Sequence, residues 1–217
     1  MKNNSLYAEE CDSWFNRNKE SFDENNCPKE TYIIEEFIER TKKEISFNNV
    51  LEIGCSYGYS LQYLHNLFGL RCCGIDLSEK AINYGRQKYP SLELEVAGAD
   101  NIPYGDNSFE LVIAGFFLYM TDRRKIVSTL SEIDRVLTKG GVVVVSDFDT
   151  IHPYIRENKH NKDVFTYKKD YAELFKPFGY TLIEKRSHSY DTDCFVREMQ
   201  KRSSTQICIK KEVRIIT

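Results

Sequence analysis

From residue 50 to residue 147 short β-branched and aliphatic runs alternate with stretches whose apolar positions recur every three to four residues. The alternation predicts a parallel sheet covered by helices, since each parallel strand needs a crossover to bring the chain back. The runs place strands at residues 50–53, 72–75, 92–97, 109–114 and 142–146. Between them, residues 59–68 set Leu61, Leu64, Leu67 and Phe68 on one helical face; residues 122–137 do the same with Ile126, Val127, Leu130, Ile133 and Leu137. Thr121 or Asp122 suits the N-cap of the second helix, and Gly140-Gly141 breaks the chain behind it.

The flanks are patterned differently. Residues 30–44 carry a helical stripe of Ile33, Ile34, Phe37, Ile38 and Thr41. Ahead of it lies the polar, ring-bearing stretch SLYAEECDSWFNRNKESF. Trp14, Phe15, Arg17 and Asn18 there read either as a lid, with Arg17 or Asn18 reaching a substrate, or as an amphipathic helix packed on the core. Residues 148–165 hold few apolar positions and read as a long loop, a kind of segment that is usually functional or mobile. A helix at 168–178 capped by Thr166, a strand at 181–185 and a last strand at 206–216 complete the pattern. At 217 residues the chain fits one domain. Its expected parts are an N-terminal helical cap (1–45), a core (46–147), and an acceptor loop, helix and final two strands (148–217).

Composition narrows the class. With 41% hydrophobic and 29% charged residues the chain is too apolar to be disordered. Aromatic side chains reach 13%, enough for a core and a ring-lined pocket. Acidic side chains exceed basic ones by four in residues 1–50 and again in 51–150, whereas basic ones lead by five in 151–217. Only that last third leans toward a polyanion, so RNA is disfavoured as a partner. The longest apolar run, residues 111–120, is half the ~20 residues a bilayer span needs. No leader is expected at MKNNSLYAEE, and the cytoplasm is the expected compartment. Cys11, Cys27, Cys55, Cys72, Cys73, Cys194 and Cys208 are then expected as thiols.

The chemistry is carried by VLEIGCSYGYSLQYL, residues 50–64: a strand, an acid near its end, a glycine-bearing turn and a helix. Glycine there lets a ligand approach the backbone closely. In GIDLSEKAI, Asp76 ends the next strand 24 residues after Glu52, near the ~20-residue offset of a carboxylate that binds ribose hydroxyls. A dinucleotide fingerprint started at Gly54 would need glycine where Ser56 and Tyr59 stand, and no GK[ST] comes after it. A nucleoside ligand without phosphates fits better.

On these residues, 50–147 resemble the class I S-adenosylmethionine-dependent methyltransferases. The resemblance implies an α/β Rossmann-like fold with a mostly parallel seven-stranded sheet, helices on both faces and an N-terminal helical lid. It implies S-adenosylmethionine as cofactor and S-adenosylhomocysteine as product. Glu52, Gly54, Ser56 and Gly58 match the family's ExGxGxG turn, with Cys55 inside it and Ser56 departing from glycine. Asp76, with Leu77 and Ser78 after it, matches the ribose-binding acid. Asp100, between Ala99 and Asn101, matches the acid that meets the adenine amino group. Phe116 and Phe117 match positions flanking methionine and adenine, and LTKGGVVVVSD the turn and fifth strand. The flanks SWFNRNK and DFDTIHPYIRENKHNKDVFTYKKDYAELF resemble a bacterial subgroup tied to surface-polysaccharide and small-molecule modification.

The implied activity is methyl transfer to an oxygen or nitrogen of a small molecule, a sugar or capsule component among the options. A base is needed where the acceptor is a hydroxyl or a protonated amine. Tyr119, Asp147, His152 and Tyr154 fall near the strand ends, and Tyr167 is a ring for the substrate side. The histidines lack metal-ligand spacing, so no metal is expected. DNA is not expected as a substrate: the fourth strand does not lead into an Asp/Asn-Pro-Pro-aromatic motif, and no proline precedes a cysteine. An RNA or protein methyltransferase docking through the basic C-terminal third, or a non-catalytic cofactor-binding partner subunit, are the alternatives. The sequence does not indicate an oligomeric state.

Overall fold

The computed structural model describes residues 2–189 and 201–211. Seven strands, β1 (Asn49–Ile53), β2 (Arg71–Asp76), β3 (Glu93–Val96), β4 (Phe109–Gly115), β5 (Leu137–Phe148), β8 (Tyr180–His188) and β9 (Ser203–Lys210), form one sheet; β6 (Tyr154–Glu157) and β7 (Phe165–Lys168) pair apart from it. The order in the large sheet is β3–β2–β1–β4–β5–β9–β8. Neighbours from β3 to β5 are parallel, and β9 runs antiparallel to both β5 and β8. This is the α/β Rossmann-like methyltransferase architecture that the sequence predicts. The strand order reverses between β1 and β4, which leaves a crevice at their carboxyl ends.

Alternation along the central strands splits the core in two. Val50, Cys72, Leu111 and Val142 face one side, where α2 (Lys29–Thr41), α3 (Tyr59–Phe68) and α4 (Glu79–Lys88) supply Ile34, Phe37, Leu61, Leu64 and Ile82. Leu51, Cys73, Val112 and Val143 face the other, against Leu130 and Ile133 of α5 (Ile126–Val136) and Phe175 of the 3₁₀ turn Ala172–Phe178. Strands buried on both faces read as unbroken apolar runs, which is why they stand out in the sequence.

Helix α1 (Lys2–Asn18) occupies the polar stretch before α2. Elsewhere the structure departs from the sequence pattern in several places. Helix α4 had no expected counterpart, although Ser78 accepts the Ala81 N–H at its N-cap. Leu67 and Val127 are 48% and 69% exposed, so those helical stripes are narrower than the pattern implied. Helix α5 begins only at Ile126, because Asp122 accepts the Arg124 N–H and closes a turn first. Gly140-Gly141 lies within β5, which starts directly after α5. The expected long loop contains β6, which forms a hairpin with β7. Thr166 and Lys168 therefore belong to a strand, and Thr166 Oγ1 donates to the Arg156 carbonyl across the hairpin. In place of the expected helix at 168–178 the chain forms the 3₁₀ turn Ala172–Phe178, where Pro177 cannot continue a helical hydrogen-bond ladder. Positions 212–216 of the last expected strand, and Cys194, lie outside the described residues.

Gly85 joins this scaffold to the turn after β1. A Cβ there would stand 2.4 Å from the Tyr57 carbonyl oxygen and 2.7 Å from Leu94 Cδ1. Gly85→Ala must push α4 off the turn, and urea denaturation is expected to show a loss of about 1–3 kcal/mol. Unchanged stability would mean that α4 and the turn separate freely.

Candidate active site

The crevice at the ends of β1 and β4 opens into a cavity of about 380 Å³. After β1 the chain passes through Gly54, Ser56 and Gly58 with φ of 76°, 51° and 86°. All three lie in the left-handed region, which crowds a side chain against the backbone. A Cβ on Gly54 would stand 3.0 Å from the Phe117 Cβ, so glycine lets the segment after β4 close on the turn. Ser56 carries a side chain through the same region, and Asp76 Oδ2 accepts its backbone N–H at 2.9 Å. Asp76 Oδ1 accepts the Ser78 N–H at 2.8 Å. One carboxylate thus fastens the turns after β1 and β2, with the Leu77 N–H as a further donor, and keeps acceptor capacity for a ligand. Burial raises the Asp76 carboxyl above its ordinary value, against the lowering by those N–H groups.

Glu52 projects from β1 to the cavity, and its Oε2 is buried without a hydrogen-bond partner among the described residues. Ser56 Oγ, on a residue 5% exposed, is in the same condition. Glu30, in the first turn of α2, lines the same cavity. Burial, with Glu30 and Asp76 nearby, pushes the Glu52 carboxyl up to about 8, and burial pushes Glu30 to about 7. Buried acceptors left open beside a cavity suit a ligand that brings donors or positive charge. Other acids on the wall are paired: Asp100 with Lys125 at 2.7 Å, Glu10 with Arg17 at 2.7 Å and Asp122 with Arg124 at 2.6 Å. Glu132 and Arg135 of α5 hold the segment after Asp100, through the Ile102 N–H and the Ile102 and Tyr104 carbonyls.

Helix α1 covers the cavity with Tyr7, Glu10, Cys11 and Trp14. Asp12 fastens it, accepting from Ser78 Oγ at 2.6 Å and approaching Lys80 Nζ at 3.5 Å. Farther along, the Tyr57 hydroxyl donates to the Phe22 carbonyl, so the turn after β1 also anchors the link between α1 and α2.

Glu52, Gly54, Ser56, Asp76, Leu77, Ser78, Ala99, Asp100, Phe116 and Phe117 come together on this one wall. Cys55, Gly58 and Asn101 do not line it. Cys55 packs into the core, Gly58 sits under Leu92 at the start of α3, and Asn101 is exposed with its N–H on the Gly98 carbonyl. Among the expected bases, Tyr119 lines the cavity and the others stand elsewhere. Asp147 is 2% exposed and accepts the N–H groups of Tyr119 and Phe148 at 3.1 and 2.7 Å, so it braces the 3₁₀ turn Leu118–Met120. Burial pushes its carboxyl up to about 7. His152 is exposed and Tyr154 lies in β6.

Of the expected lid residues Trp14 lines the cavity, whereas Phe15 turns into the core against Tyr57 and Tyr84. Arg17 is engaged by Glu10, Asn18 Nδ2 returns to the Trp14 carbonyl, and the Tyr167 ring lies beneath the Arg123 guanidinium. Glu10, Glu30, Tyr59, Lys125 and His188 also stand on the wall, although the sequence motifs do not single them out. Glu10 and Glu30 come from α1 and α2, Lys125 from the N-cap of α5 and His188 from an outer strand, none of which a turn motif marks; Tyr59 opens α3 just after the glycine turn. His188 Nε2 stands 3.1 Å from Thr205 Oγ1, across the β8–β9 ladder.

Residues 50–141 match the family described as methyltransferase domain. The O-methyltransferase cnsE of Penicillium expansum is 28% identical over 136 residues, covering 59% of this chain and 45% of that protein. The sarcosine/dimethylglycine N-methyltransferase of Halorhodospira halochloris is 32% identical over 105 residues, covering 45% and 37%. The chain thus spans less than half the length of these two relatives. Among solved structures, the Burkholderia thailandensis 1,6-didemethyltoxoflavin-N1-methyltransferase, with 1,6-didemethyltoxoflavin and S-adenosylhomocysteine bound, superposes with a TM-score of 0.68. That match has 14% identity and covers 96% of this chain and 85% of the other. Residues 50–141 are thus similar to methyltransferase domains, and the described residues share the fold of a solved methyltransferase.

The raised carboxyl of Glu52 has a consequence for stability. A folded-state value of about 8, against an ordinary 4.5, stabilises the fold only while the acid is protonated. That contribution is full below pH 4.5 and is lost as pH rises through 8. In ligand-free protein, Glu52→Gln is therefore expected to raise the thermal midpoint at pH 9, by the equivalent of about 1 kcal/mol or more, and to change little at pH 4. A midpoint at pH 9 no higher than that of wild type would contradict this.

Proposed function

We propose that this protein is an S-adenosylmethionine-dependent methyltransferase acting on an oxygen or nitrogen of a small molecule. The observation that carries the reading is the meeting, in one cavity at the reversal of strand order, of Glu52, Asp76 and Asp100 with the left-handed turn of Gly54 and Ser56. The residues suit the cofactor: Asp76 has lone pairs for ribose hydroxyls, Asp100 for the adenine amino group, and the open Glu52 and Ser56 oxygens for the amino-acid end. When bound, S-adenosylmethionine supplies a methyl group on a positively charged sulfur, for which alignment with the acceptor provides much of the acceleration. Phe116, Phe117 and Tyr119 line the cavity beside the turn, and α1 adds Tyr7, Glu10, Cys11 and Trp14 to its wall.

A small acceptor is favoured by the cavity size and by the rings of Trp14, Phe116, Phe117 and Tyr119 that line it. The Penicillium relative is an O-methyltransferase and the Halorhodospira relative an N-methyltransferase, so both acceptor atoms occur among similar chains. A surface-polysaccharide acceptor rests on the flanking resemblance alone. Free thiols at Cys55, Cys72, Cys73 and Cys208 support a cytoplasmic setting. No helix among the described residues is long and apolar enough to cross a membrane.

Calorimetric titration with S-adenosylmethionine tests the assignment. Wild type should bind; Asp76→Ala should weaken binding about tenfold or more, equivalent to ~1.4 kcal/mol, and Gly54→Arg should abolish it. No binding by wild type, or undiminished binding by both variants, would overturn the reading.

A further inference from the structure

We propose that the Ser56 hydroxyl is the donor that receives the carboxylate of the cofactor's amino-acid end, while Glu52 answers the ammonium. The inference rests on the methyltransferase reading and deepens it at a position where the motif this turn resembles has glycine. The contact therefore belongs to this chain and not to the motif.

The turn after β1 has most of its backbone donors engaged. The Gly54 and Cys55 N–H groups donate to the Ile75 carbonyl at 2.8 and 3.2 Å, that of Ser56 to Asp76 Oδ2 at 2.9 Å, and that of Gly58 to the Cys55 carbonyl at 2.9 Å. These groups cannot cradle a ligand anion as the outward-pointing N–H groups of an open turn do. The Ser56 side chain is in the opposite condition. The residue lines the cavity and is 5% exposed, yet its Oγ is buried without a hydrogen-bond partner among the described residues. Because Asp76 holds the Ser56 N–H, the hydroxyl departs from a fixed backbone. Just beyond, α3 starts at Tyr59 with no side-chain cap, and Tyr59 and Ser60 line the same cavity. Uncapped N–H groups at the start of a helix favour a negative group, which is a second feature pointing to an anion here.

An ammonium only donates and a carboxylate only accepts, so the two ends of an amino acid need opposite partners. The open Glu52 oxygen accepts as a carboxylate, whereas Ser56 Oγ carries a proton to donate. Without a ligand the serine is unfavourable twice over: φ of 51° crowds its side chain, and the buried hydroxyl forgoes the bonds it would make with water. Glycine avoids both penalties. A serine at this point makes sense as a contact that the ligand completes.

The test is titration calorimetry of the full chain with S-adenosylhomocysteine and with its decarboxylated analogue, which keeps the ammonium and lacks the carboxylate. Ser56→Ala should weaken S-adenosylhomocysteine binding about tenfold and leave binding of the analogue within about twofold of wild type. Ser56→Gly, better suited to φ of 51°, should lose the same factor, which separates the missing hydroxyl from a poorly held turn. The ligand-free thermal midpoint of Ser56→Ala should be no lower than that of wild type. Equal binding of S-adenosylhomocysteine by wild type and both variants would overturn the inference. So would an equal loss for the analogue, or a lowered midpoint in Ser56→Ala, which would mean that the hydroxyl serves the fold. Failure of wild type to bind S-adenosylhomocysteine would instead overturn the methyltransferase reading, and this one with it.

Discussion

Asp76 is the fastening on which the site depends. Its two oxygens accept the N–H groups of Ser56 and Ser78, tying the turn that leaves β1 to the turn that leaves β2. The tie matters because Ser56 lies at φ 51°, where a side chain costs free energy that only a well-held turn offsets. With the turn held, Glu52 faces the cavity, Gly54 lets Phe117 close on it, and Tyr57 reaches the link between α1 and α2. Ser78 extends the same fastening outward, since its hydroxyl receives the Ala81 N–H and donates to Asp12 of α1. Sheet, turn and cover are therefore one connected hydrogen-bonded unit.

The cost of that arrangement is concentrated in the carboxyls. Glu30, Glu52 and Asp76 are all shifted upward, chiefly by burial. A fold selected for stability alone has no use for such groups, which hydrophobic residues of similar volume would replace at lower cost. Their grouping at the reversal of strand order makes sense as preparation for a ligand whose donors and positive charge complete the site. Asp147 shows the contrasting case. It is shifted upward as well, but its oxygens are taken by the Tyr119 and Phe148 N–H groups, and it serves the scaffold.

The sheet was legible from the sequence because parallel strands buried on both faces appear as continuous apolar runs, and Tyr59–Phe68 carried a clear helical stripe. The cofactor side was legible because turn chemistry is local: a left-handed turn needs its small residues in order, and the strand spacing fixes where the next carboxylate falls. Of what α1 and α2 bring to the site, the Trp14 ring was legible and the acids were not. Glu10, Asp12 and Glu30 lie on polar helical faces whose partners, Arg17 apart, are distant in sequence, and nothing local separates a carboxylate facing a cavity from one facing water. The hairpin of β6 and β7 was hidden for a similar reason. Ile155 and Phe165 are 57% and 42% exposed, so its strands lack the apolar density that marks buried ones. Arg17 is engaged by Glu10, and Asp147 by the Tyr119 and Phe148 N–H groups: residue type reveals capacity for chemistry, whereas the partners already engaged decide its use.

The central claim is that a nucleoside ligand completes the unit fastened by Asp76. Backbone amide chemical shifts recorded by NMR while S-adenosylhomocysteine is added test it most directly. The account predicts the largest perturbations at Gly54, Ser56 and Ser78, with smaller ones along α1 from Glu10 to Trp14. Perturbations absent there, or centred on the opposite end of the sheet around Glu110 and Gly141, would contradict it.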